Sequence, residues 1–171
     1  DGADSDPADM TMVYTKDSIY QLDYDAALSE GWPHAHWRHI AWTINPFAYP
    51  NDPRIHTRQE GPMVFRKDGK LFLVCSFGDA WTAIYRFEDH IAIPAAMFAE
   101  RPTDFPPGNP VNDAAWMWVD ANGDGDFQAD EFVAFADKPL SVHRAQFVDD
   151  EGTYWIGEQG GKLHRFPLNS L

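Results

Sequence analysis

Cysteine is almost absent from this chain, since Cys75 is the only one among 171 residues. A single thiol excludes an internal disulfide and a cysteine-based zinc site. Cys75 ends the apolar run 71–75, so we interpret it as a small core residue of a strand. The sequence also lacks a C-x-x-C-H haem motif, a phosphate-binding glycine loop, a G-x-S-x-G motif and an H-E-x-x-H motif.

Basic residues are scarce as well. There are 13 Lys and Arg residues against 27 Asp and Glu residues, which gives a formal net charge of −14. This balance excludes binding to nucleic acid or to an anionic membrane through a basic patch, and it favours divalent cations. No apolar run approaches the roughly 18 residues of a membrane span. We therefore expect no nucleic-acid partner and no membrane span.

Aromatic residues, proline and glycine are what the chain has in quantity. Aromatics make up 15% of the residues, and the 13 prolines and 12 glycines are spread along the sequence. Aromatic side chains favour strands, while scattered Pro and Gly favour turns over long helices. The composition predicts an all-β fold with antiparallel strands, long enough for one domain with a core.

The stretch 120–131 is the most informative part of the chain. It fits the twelve-position calcium loop D-x-[DN]-x-[DN]-G-x5-E without a gap. Calcium takes about six to eight hard oxygen ligands, which a short loop supplies when oxygen-bearing side chains recur at every second residue. Gly125 takes the position of the sharp turn, and we expect Phe127 to hold the loop against a core. The predicted Ca²⁺ ligands are Asp120, Asn122, Asp124, Asp126 through its main-chain carbonyl, Gln128 directly or through water, and Glu131.

The residues on either side of this loop predict strands rather than the helices of a paired calcium sensor. In 116–119, Trp116 and Trp118 alternate with smaller apolar residues, which is a strand pattern. Residues 132–135 carry no amphipathic helical pattern of useful length. We therefore expect an EF-hand-like loop inserted in β structure, where calcium stabilises a fold instead of switching one.

Strand patterns recur in units along the chain. A hairpin is predicted over 11–14 and 18–22, and a three-stranded meander over 62–66, 70–76 and 82–87. A last unit covers 145–148, 153–157 and 162–166, and further strands are expected near 37–44 and within 88–98. The second and last units end in Arg86-Phe87 and Arg165-Phe166, and the segment 20–22 takes the same place in the first.

These units resemble β-propeller blades of the NHL or quinoprotein-like kind, and the segment 118–132 is similar to calcium loops inserted in large secreted bacterial propeller proteins. The resemblance implies calcium ligation by the six loop residues named above. It implies a fold of antiparallel β-propeller-like blades over 11–171, after a flexible acidic lead-in at 1–10. The segments are a blade end (11–22), an insertion (23–61), a blade (62–87), a connector (88–112), the calcium-loop insertion (113–137) and a blade (138–168).

Two blades and the tail of a third do not close a propeller, which needs at least about four blades. We therefore expect other propeller segments or a protein subunit to cover the open sheets. The chain starts at Asp1 rather than Met, which indicates a processed chain or an excised part. Because a single calcium loop is most useful at millimolar calcium, we expect an extracellular, periplasmic or cell-surface location.

Histidines supply the alternative site. His34 and His36 share a face of a predicted strand, and with His39 they could form a transition-metal or ligand site. The alternative interpretation is that they are packing residues among Trp and Pro. His143 precedes the last blade, where it is either a ligand contact or part of a solvated connector.

A carbohydrate or small ligand is a further candidate partner. Trp81, Trp116 and Trp118 could form a sugar platform, although aromatics at strand spacing are more often core residues. The sequence thus predicts a calcium-stabilised extracellular β-propeller module for binding or assembly, without a catalytic residue of its own. The alternative is part of a propeller enzyme, a quinoprotein-like oxidoreductase or a hydrolase, with a His-lined site.

Overall fold

The structure, a computed structural model, describes residues 2–31, 36–57, 60–77, 81–135, 142–149, 151–158 and 161–168. Within these residues the chain is mostly antiparallel β-strand and forms three sheets. The all-β prediction is therefore confirmed. None of the helices in the described ranges is long and apolar enough to cross a membrane.

The first sheet holds four strands in chain order, and one short helix interrupts it. Its strands are β1 (Asp4–Asp6), β2 (Asp9–Tyr14), β3 (Ser18–Asp23) and β4 (His36–Trp42). Helix α1 (Tyr24–Glu30) follows β3 because the side chain of Asp23 accepts from the amide of Ala26 and caps the first turn. The predicted hairpin and the strand expected near 37–44 both belong to this sheet.

The N-terminal segment differs from the flexible lead-in that its composition predicts, because residues 4–6 and 9–10 lie in strands. Contacts with a distant strand explain the order. Asp4 Oδ2 accepts from the main-chain amide of Val64 at 2.8 Å. Asp6, which is almost fully buried, accepts from Nε of Arg66 at 2.7 Å. Acidic side chains that look solvated in the sequence thus join the first sheet to the second.

The second sheet is a six-stranded meander in which every strand pairs with its neighbours in sequence. Its strands are β5 (Glu60–Lys67), β6 (Lys70–Phe77), β7 (Trp81–Glu88), β8 (Ile91–Ala99), β9 (Ala115–Val119) and β10 (Phe132–Phe135). The turn between β5 and β6 places Asp68 and Gly69 at positive φ, as a tight two-residue hairpin turn requires. The meander predicted over 62–87 is confirmed.

Strand β8 runs through Pro94, although proline cannot donate to a β-ladder. The pairing with β7 shifts at this point: Tyr85 faces Pro94, while Ile84 faces Ala96. The resulting bulge leaves one extra residue on β8 and accommodates the proline. The first part of the predicted connector (88–112) is therefore a strand, and the Pro-rich residues that follow Glu100 carry no helix or strand until β9.

The third sheet consists of β11 (Val142–Val148), β12 (Thr153–Glu158) and β13 (Leu163–Pro167) in chain order. These strands correspond to the last predicted unit. At the turn between the first two, the carboxylate of Asp149 accepts from the amide of Thr153 at 2.8 Å and from Nε1 of Trp155 at 2.8 Å.

The second sheet is the middle layer of a stack of three sheets. Residues of β6 alternate between two cores, because successive side chains of a strand point to opposite faces. Leu73 and Cys75 lie in the core shared with the first sheet, which also contains Tyr14 and Ile19. Phe72 and Val74 lie in the core shared with the third sheet, which also contains Tyr154 and Ile156. Burial on both faces explains why 71–75 is a continuous apolar run.

A buried ionic cluster connects the first sheet to the second. Helix α2 (Pro53–His56) begins after Asp52, whose carboxylate pairs with Arg54 (Nη2 to Oδ2, 2.6 Å). The hydroxyl of Tyr85 donates to Asp52, and its ring centroid lies 4.0 Å from the Arg54 guanidinium carbon. The remaining guanidinium donors reach the main-chain carbonyls of Lys16, Thr43 and Ala92 and the hydroxyl of Thr43.

Candidate metal centre

The loop 120–131 connects two paired strands. β9 and β10 are antiparallel, with Trp118 opposite Phe132 and Trp116 opposite Ala134. A single 3₁₀ turn, Ala129–Glu131, ends the loop. The prediction of β structure on both sides of the loop is confirmed, so the segment is the end of a hairpin rather than the link between two long helices.

Asp120, the first predicted ligand, is buried and organises the start of the loop. Its Oδ1 accepts from the amides of Gly123 (2.9 Å) and Asp124 (3.0 Å). Its Oδ2 accepts from the amide of Gly125 (3.0 Å) and from Nη1 of Arg86. Four donors therefore converge on one carboxylate, and three of them are main-chain amides that force the loop to curl around it.

Asn122, Asp124 and Gln128 form the outer edge of the loop. Asp124 Oδ1 accepts from the amide of Asp126 at 2.8 Å. Asp124 Oδ2 accepts from Nδ2 of Asn122 (2.9 Å) and from Nε2 of Gln128 (2.8 Å). The pKa of Asp124 is lowered, first because its carboxylate accepts from the Asp126 amide and then because of these two side-chain donors. Asp124 is thus held as a carboxylate with a fixed orientation.

Glu131, the last predicted ligand, folds back across the loop. Its Oε1 accepts from the amide of Ala121 at 2.9 Å, and its Oε2 accepts from the indole Nε1 of Trp118 at 2.9 Å. Since Trp118 is fully buried, the carboxylate is anchored in the hydrophobic core beneath the loop. The two ends of the loop are joined through this one side chain.

One oxygen in the loop has no partner. Oε1 of Gln128 is buried and accepts no hydrogen bond from the described residues. The amide of Glu131 is shared: it makes a capping-box contact with the Gln128 side chain, but its hydrogen bond is directed to the main-chain carbonyl of Gln128 at 3.1 Å. A buried carbonyl oxygen without a donor costs about 1–3 kcal/mol, which a bound cation would remove.

Packing explains why the loop requires Gly125 and Phe127. Gly125 is buried with φ +75°, and a Cβ there would lie 2.6 Å from Ile93 Cγ2 and 2.8 Å from a ring carbon of Tyr49. Phe127 packs its ring against Trp118, with the centroids 4.3 Å apart. The prediction that Phe127 attaches the loop to the core is confirmed.

The structure brings the six predicted calcium ligands into one oxygen-rich loop, and oxygen donors of this kind are those that calcium prefers. Among the described residues, however, no three His, Cys, Asp or Glu side chains converge closely enough to hold a metal ion. Hydrogen bonds explain the spread, because Asp120 and Glu131 are turned toward amides, Trp118 and Arg86. The donor chemistry fits calcium, and coordination would require the carboxylates to exchange some of these contacts for the ion.

The predicted histidine cluster is not brought together in the described part of the chain. His36 Nε2 lies 3.6 Å from Oε2 of Glu30. His39 packs against the rings of Tyr20 and Trp42. Three positions apart on β4, His36 and His39 point to opposite faces. His34 and the side chain of His143 lie outside the described residues.

An open groove at the end of the first sheet was not anticipated from the sequence. Its volume is about 800 Å³, and it combines an exposed indole, Trp37, with acidic and basic side chains. The charged and imidazole side chains in its lining are Asp23, Asp25, His36 and Arg38. By contrast, the proposed sugar platform is wrong for Trp116 and Trp118, whose side chains are wholly buried.

Arg86 contacts the loop in a way that the sequence does not indicate. In the sequence, Arg86 belongs to the Arg-Phe pair that marks the end of a unit. In the structure, its guanidinium donates to Asp120 and to the carbonyl of Gly123 (2.5 Å). The partners are 34 and 37 positions away along the chain, so no local pattern indicates them. No protein-family model, curated protein or solved structure matches the chain.

Proposed function

We propose that this chain is a calcium-stabilised β-sheet module of the propeller type, which assembles with further β-sheets outside the cell. The observation that carries the calcium part is the unpartnered Oε1 of Gln128, buried in a loop whose other oxygens follow the calcium register. Hydrogen bonds already curl the loop, so binding of the ion requires a local exchange of these contacts rather than folding of the loop. Calcium would be held by Asp120, Asn122, Asp124, the carbonyl of Asp126, Gln128 and Glu131.

Calcium at this position would stabilise the second sheet rather than switch it. The loop closes the hairpin of β9 and β10, and Glu131 is anchored to the buried indole of Trp118. Asp120 links the loop to β8 through its amide, which donates to the carbonyl of Ala95 at 3.0 Å. An ion bound by both ends of the loop would oppose opening of this hairpin.

The stack of sheets supports the propeller part of the proposal. Consecutive blades of a propeller are antiparallel sheets that pack face to face, as the three sheets do here. The segment 20–22 lies in the third strand of the first sheet. The Arg-Phe pairs at 86–87 and 165–166 lie in the third strands of the second and third sheets.

The free face of the third sheet supports assembly. Tyr154 and Ile156 point into the core shared with the second sheet, so Phe147 and Trp155, which pair in register, point away from it. Phe147 is 59% exposed, and Leu163 is 71% exposed. The middle sheet, by contrast, is covered on both faces by its neighbours. We assign this surface, called the end face below, to contact with another antiparallel sheet of the same kind.

The location outside the cell rests on calcium supply and charge. Extracellular calcium modules work at about 10⁻⁴–10⁻³ M, where a single unpaired loop is sufficient. The net charge of −14 also favours accumulation of divalent cations around the protein. For the alternative enzyme with a histidine site, no convergence of described histidines provides support.

Thermal unfolding with calcium or a chelator tests the calcium part. At about 100 times the Kd, calcium adds about 2.7 kcal/mol of stability, or about 5–10 °C in Tm for a chain of this size. Glu131→Gln is expected to abolish most of that gain. Glu151→Gln, on an exposed turn of the third sheet, is the matched control and is expected to retain it. An unchanged Tm in calcium for the parent chain contradicts the proposal.

Sedimentation at rising protein concentration tests the assembly part. Without a covering sheet, the end face is expected to drive self-association, which Phe147→Ser and Leu163→Ser together suppress. Phe47→Ser is the control, because Phe47 is 97% exposed but lies in the segment before α2 rather than on the end face. A parent chain that stays at 19.4 kDa throughout contradicts assembly through this face.

A further inference from the structure

We propose that Arg86 is a tethered competitor of calcium: its guanidinium occupies the loop in place of a cation and sets the calcium concentration at which the loop binds. The inference rests on the proposed function, since it concerns regulation of the same loop. It assigns to Arg86 a role as a positioning residue that the calcium motif itself does not contain.

The guanidinium of Arg86 bridges two loop positions. Arg86 lies on β7, and its side chain is 13% exposed. Nη1 donates to Oδ2 of Asp120, the first ligand position, and Nη2 donates to the carbonyl of Gly123 at 2.5 Å. One positive charge thus contacts two oxygens of the loop, a buried carboxylate oxygen and an exposed main-chain carbonyl.

Hydrogen-bond capacity makes the contact competitive. A carboxylate offers about four lone-pair sites. In Asp120 all four are in use, by the amides of Gly123, Asp124 and Gly125 and by Arg86. Calcium can therefore bind Asp120 only if one donor leaves. The three amides are fixed by the path of the loop, whereas the Arg86 side chain has several rotatable bonds, so Arg86 is the donor that yields.

Arg86 has an alternative partner close by. Its Nε lies 3.5 Å from Oε1 of Glu88, two residues along β7 on the same face. Glu88 is largely exposed, so the displaced guanidinium can pair with it near solvent without being buried unpaired. Displacement by calcium thus breaks the pair with Asp120 but leaves Arg86 with its existing pair to Glu88, so its charge is not stranded.

Arg86 thus neutralises part of the negative charge of the loop in the calcium-free protein. As a result, the loop binds calcium less tightly than the same ligands would without Arg86. The three carboxylates among the predicted ligands would repel each other without a cation. Arg86 lowers this repulsion in the calcium-free protein, and calcium must overcome the same interaction. The arrangement suits a site that fills only where calcium is abundant.

Calorimetric titration with calcium chloride tests the role of Arg86. Arg86→Gln is expected to bind calcium about tenfold more tightly than the parent chain, which corresponds to roughly 1.4 kcal/mol. In chelator the same variant is expected to have a lower Tm. Arg66→Gln is the matched control: Arg66 lies on the same sheet as Arg86 and pairs with Asp6 of the first sheet, so its loss lowers Tm but leaves calcium affinity unchanged.

The outcomes separate the two proposals. If the parent chain binds calcium and Arg86→Gln binds equally or more weakly, Arg86 orients Asp120 or is neutral, and the inference is overturned while the proposed function stands. If neither protein binds calcium, the proposed function fails and the inference fails with it. If Arg86→Gln binds calcium and the parent chain does not, the result supports competition, because Arg86 would then block the loop completely.

A second variant keeps the test decisive if Arg86→Gln does not fold. Arg86→Lys retains the charge but cannot bridge Asp120 and Gly123 through a planar fork. Competition predicts tighter calcium binding than in the parent chain, whereas an orienting role predicts weaker binding. Glu88→Gln removes the alternative partner, and competition predicts that it weakens calcium binding.

Discussion

The molecule contains two Asp–Arg clusters that differ in completeness. Asp52 and Arg54 are buried between two sheets, and every described donor and acceptor of the pair has a partner. Asp120 and Arg86 form the second pair, at the base of a loop that carries further carboxylates and one unpartnered oxygen, on Gln128. The first cluster neutralises itself, whereas the second has more negative charge and more oxygen atoms than its own cation can satisfy.

The comparison shows how the same pair of residue types serves structure in one place and ligand binding in another. A buried ion pair is tolerated when hydrogen bonds satisfy its remaining atoms, as the carbonyls around Arg54 do. The Asp120–Arg86 pair is also largely buried, but its guanidinium reaches an exposed carbonyl of the loop and a largely exposed carboxylate, Glu88, so it has a second partner near solvent. We therefore expect substitutions of Arg54 to lower the free energy of unfolding, and substitutions of Arg86 to change the affinity for calcium.

The largest expected effect is at the complete cluster. Arg54→Met leaves Asp52 as a buried, unpaired carboxylate, so we expect a loss of about 3–5 kcal/mol in the free energy of unfolding, measured by urea denaturation. Combining it with Asp52→Asn is expected to recover part of the loss. Calcium affinity of the folded fraction is expected to stay unchanged. A loss below about 1 kcal/mol would contradict the dependence of the buried Asp52 carboxylate on Arg54.

The next effect separates two glycines of the loop. Gly125→Ala places a methyl group against Ile93 and Tyr49 in addition to a strained positive φ, so we expect a loss of about 2–3 kcal/mol. Gly123→Ala has the same kind of φ but nothing within 4 Å, so backbone strain of about 1 kcal/mol remains. Equal losses in thermal unfolding would mean that the loop is not packed against β8.

The smallest effect concerns a pair of intermediate burial, Asp6 with Arg66. The hydrogen bond from Arg66 lowers the pKa of Asp6 below its ordinary value of 3.8. A lowered folded-state pKa stabilises the fold above the ordinary value, and the stabilisation is lost as the pH falls through the folded-state pKa. We expect about 1 kcal/mol less stability near pH 3 than near pH 6 from this group.

Urea denaturation of Asp6→Asn checks this expectation. The variant is expected to be less stable than the parent chain near pH 6 and to lose less of its stability on acidification. If parent and variant respond to acid alike, the Asp6–Arg66 pair contributes nothing to the pH dependence. Arg66→Gln provides the second measurement, because it removes the same hydrogen bonds from the other side.

Local patterns predicted the strands well where turn residues mark their ends. The turn at Asp68 and Gly69 separates two apolar segments of the sequence. The bounds of β5 and β6 agree with the predicted strands on either side of this turn within a few residues. β8 was harder to predict, because Pro94 argues against a central strand and the bulge that accommodates it depends on β7. β1 was missed, since its order depends on Val64 and Arg66, about 60 positions away.

The loop could be predicted residue by residue, because calcium ligands follow one another within twelve positions. What the sequence could not show is which donors those ligands meet in the fold. Trp118 was interpreted as a strand residue, yet its indole anchors Glu131. Arg86 lies on β7, which is separated in the sheet by β8 from the hairpin that carries the loop. The ionic cluster of Asp52 and Arg54 could not be predicted either, because its partners Lys16, Tyr85 and Ala92 are distant in the sequence.

The chain-ordered pairing of the second sheet bears on how this protein acquires its structure. Because each strand from β6 to β10 pairs with the one before it, the sheet can grow by closing one loop at a time. If the sheet forms in chain order, the hairpin of β9 and β10 docks last, after β7 has placed Arg86. The carboxylates of this hairpin would then contact the guanidinium of Arg86 during folding, before any metal ion binds.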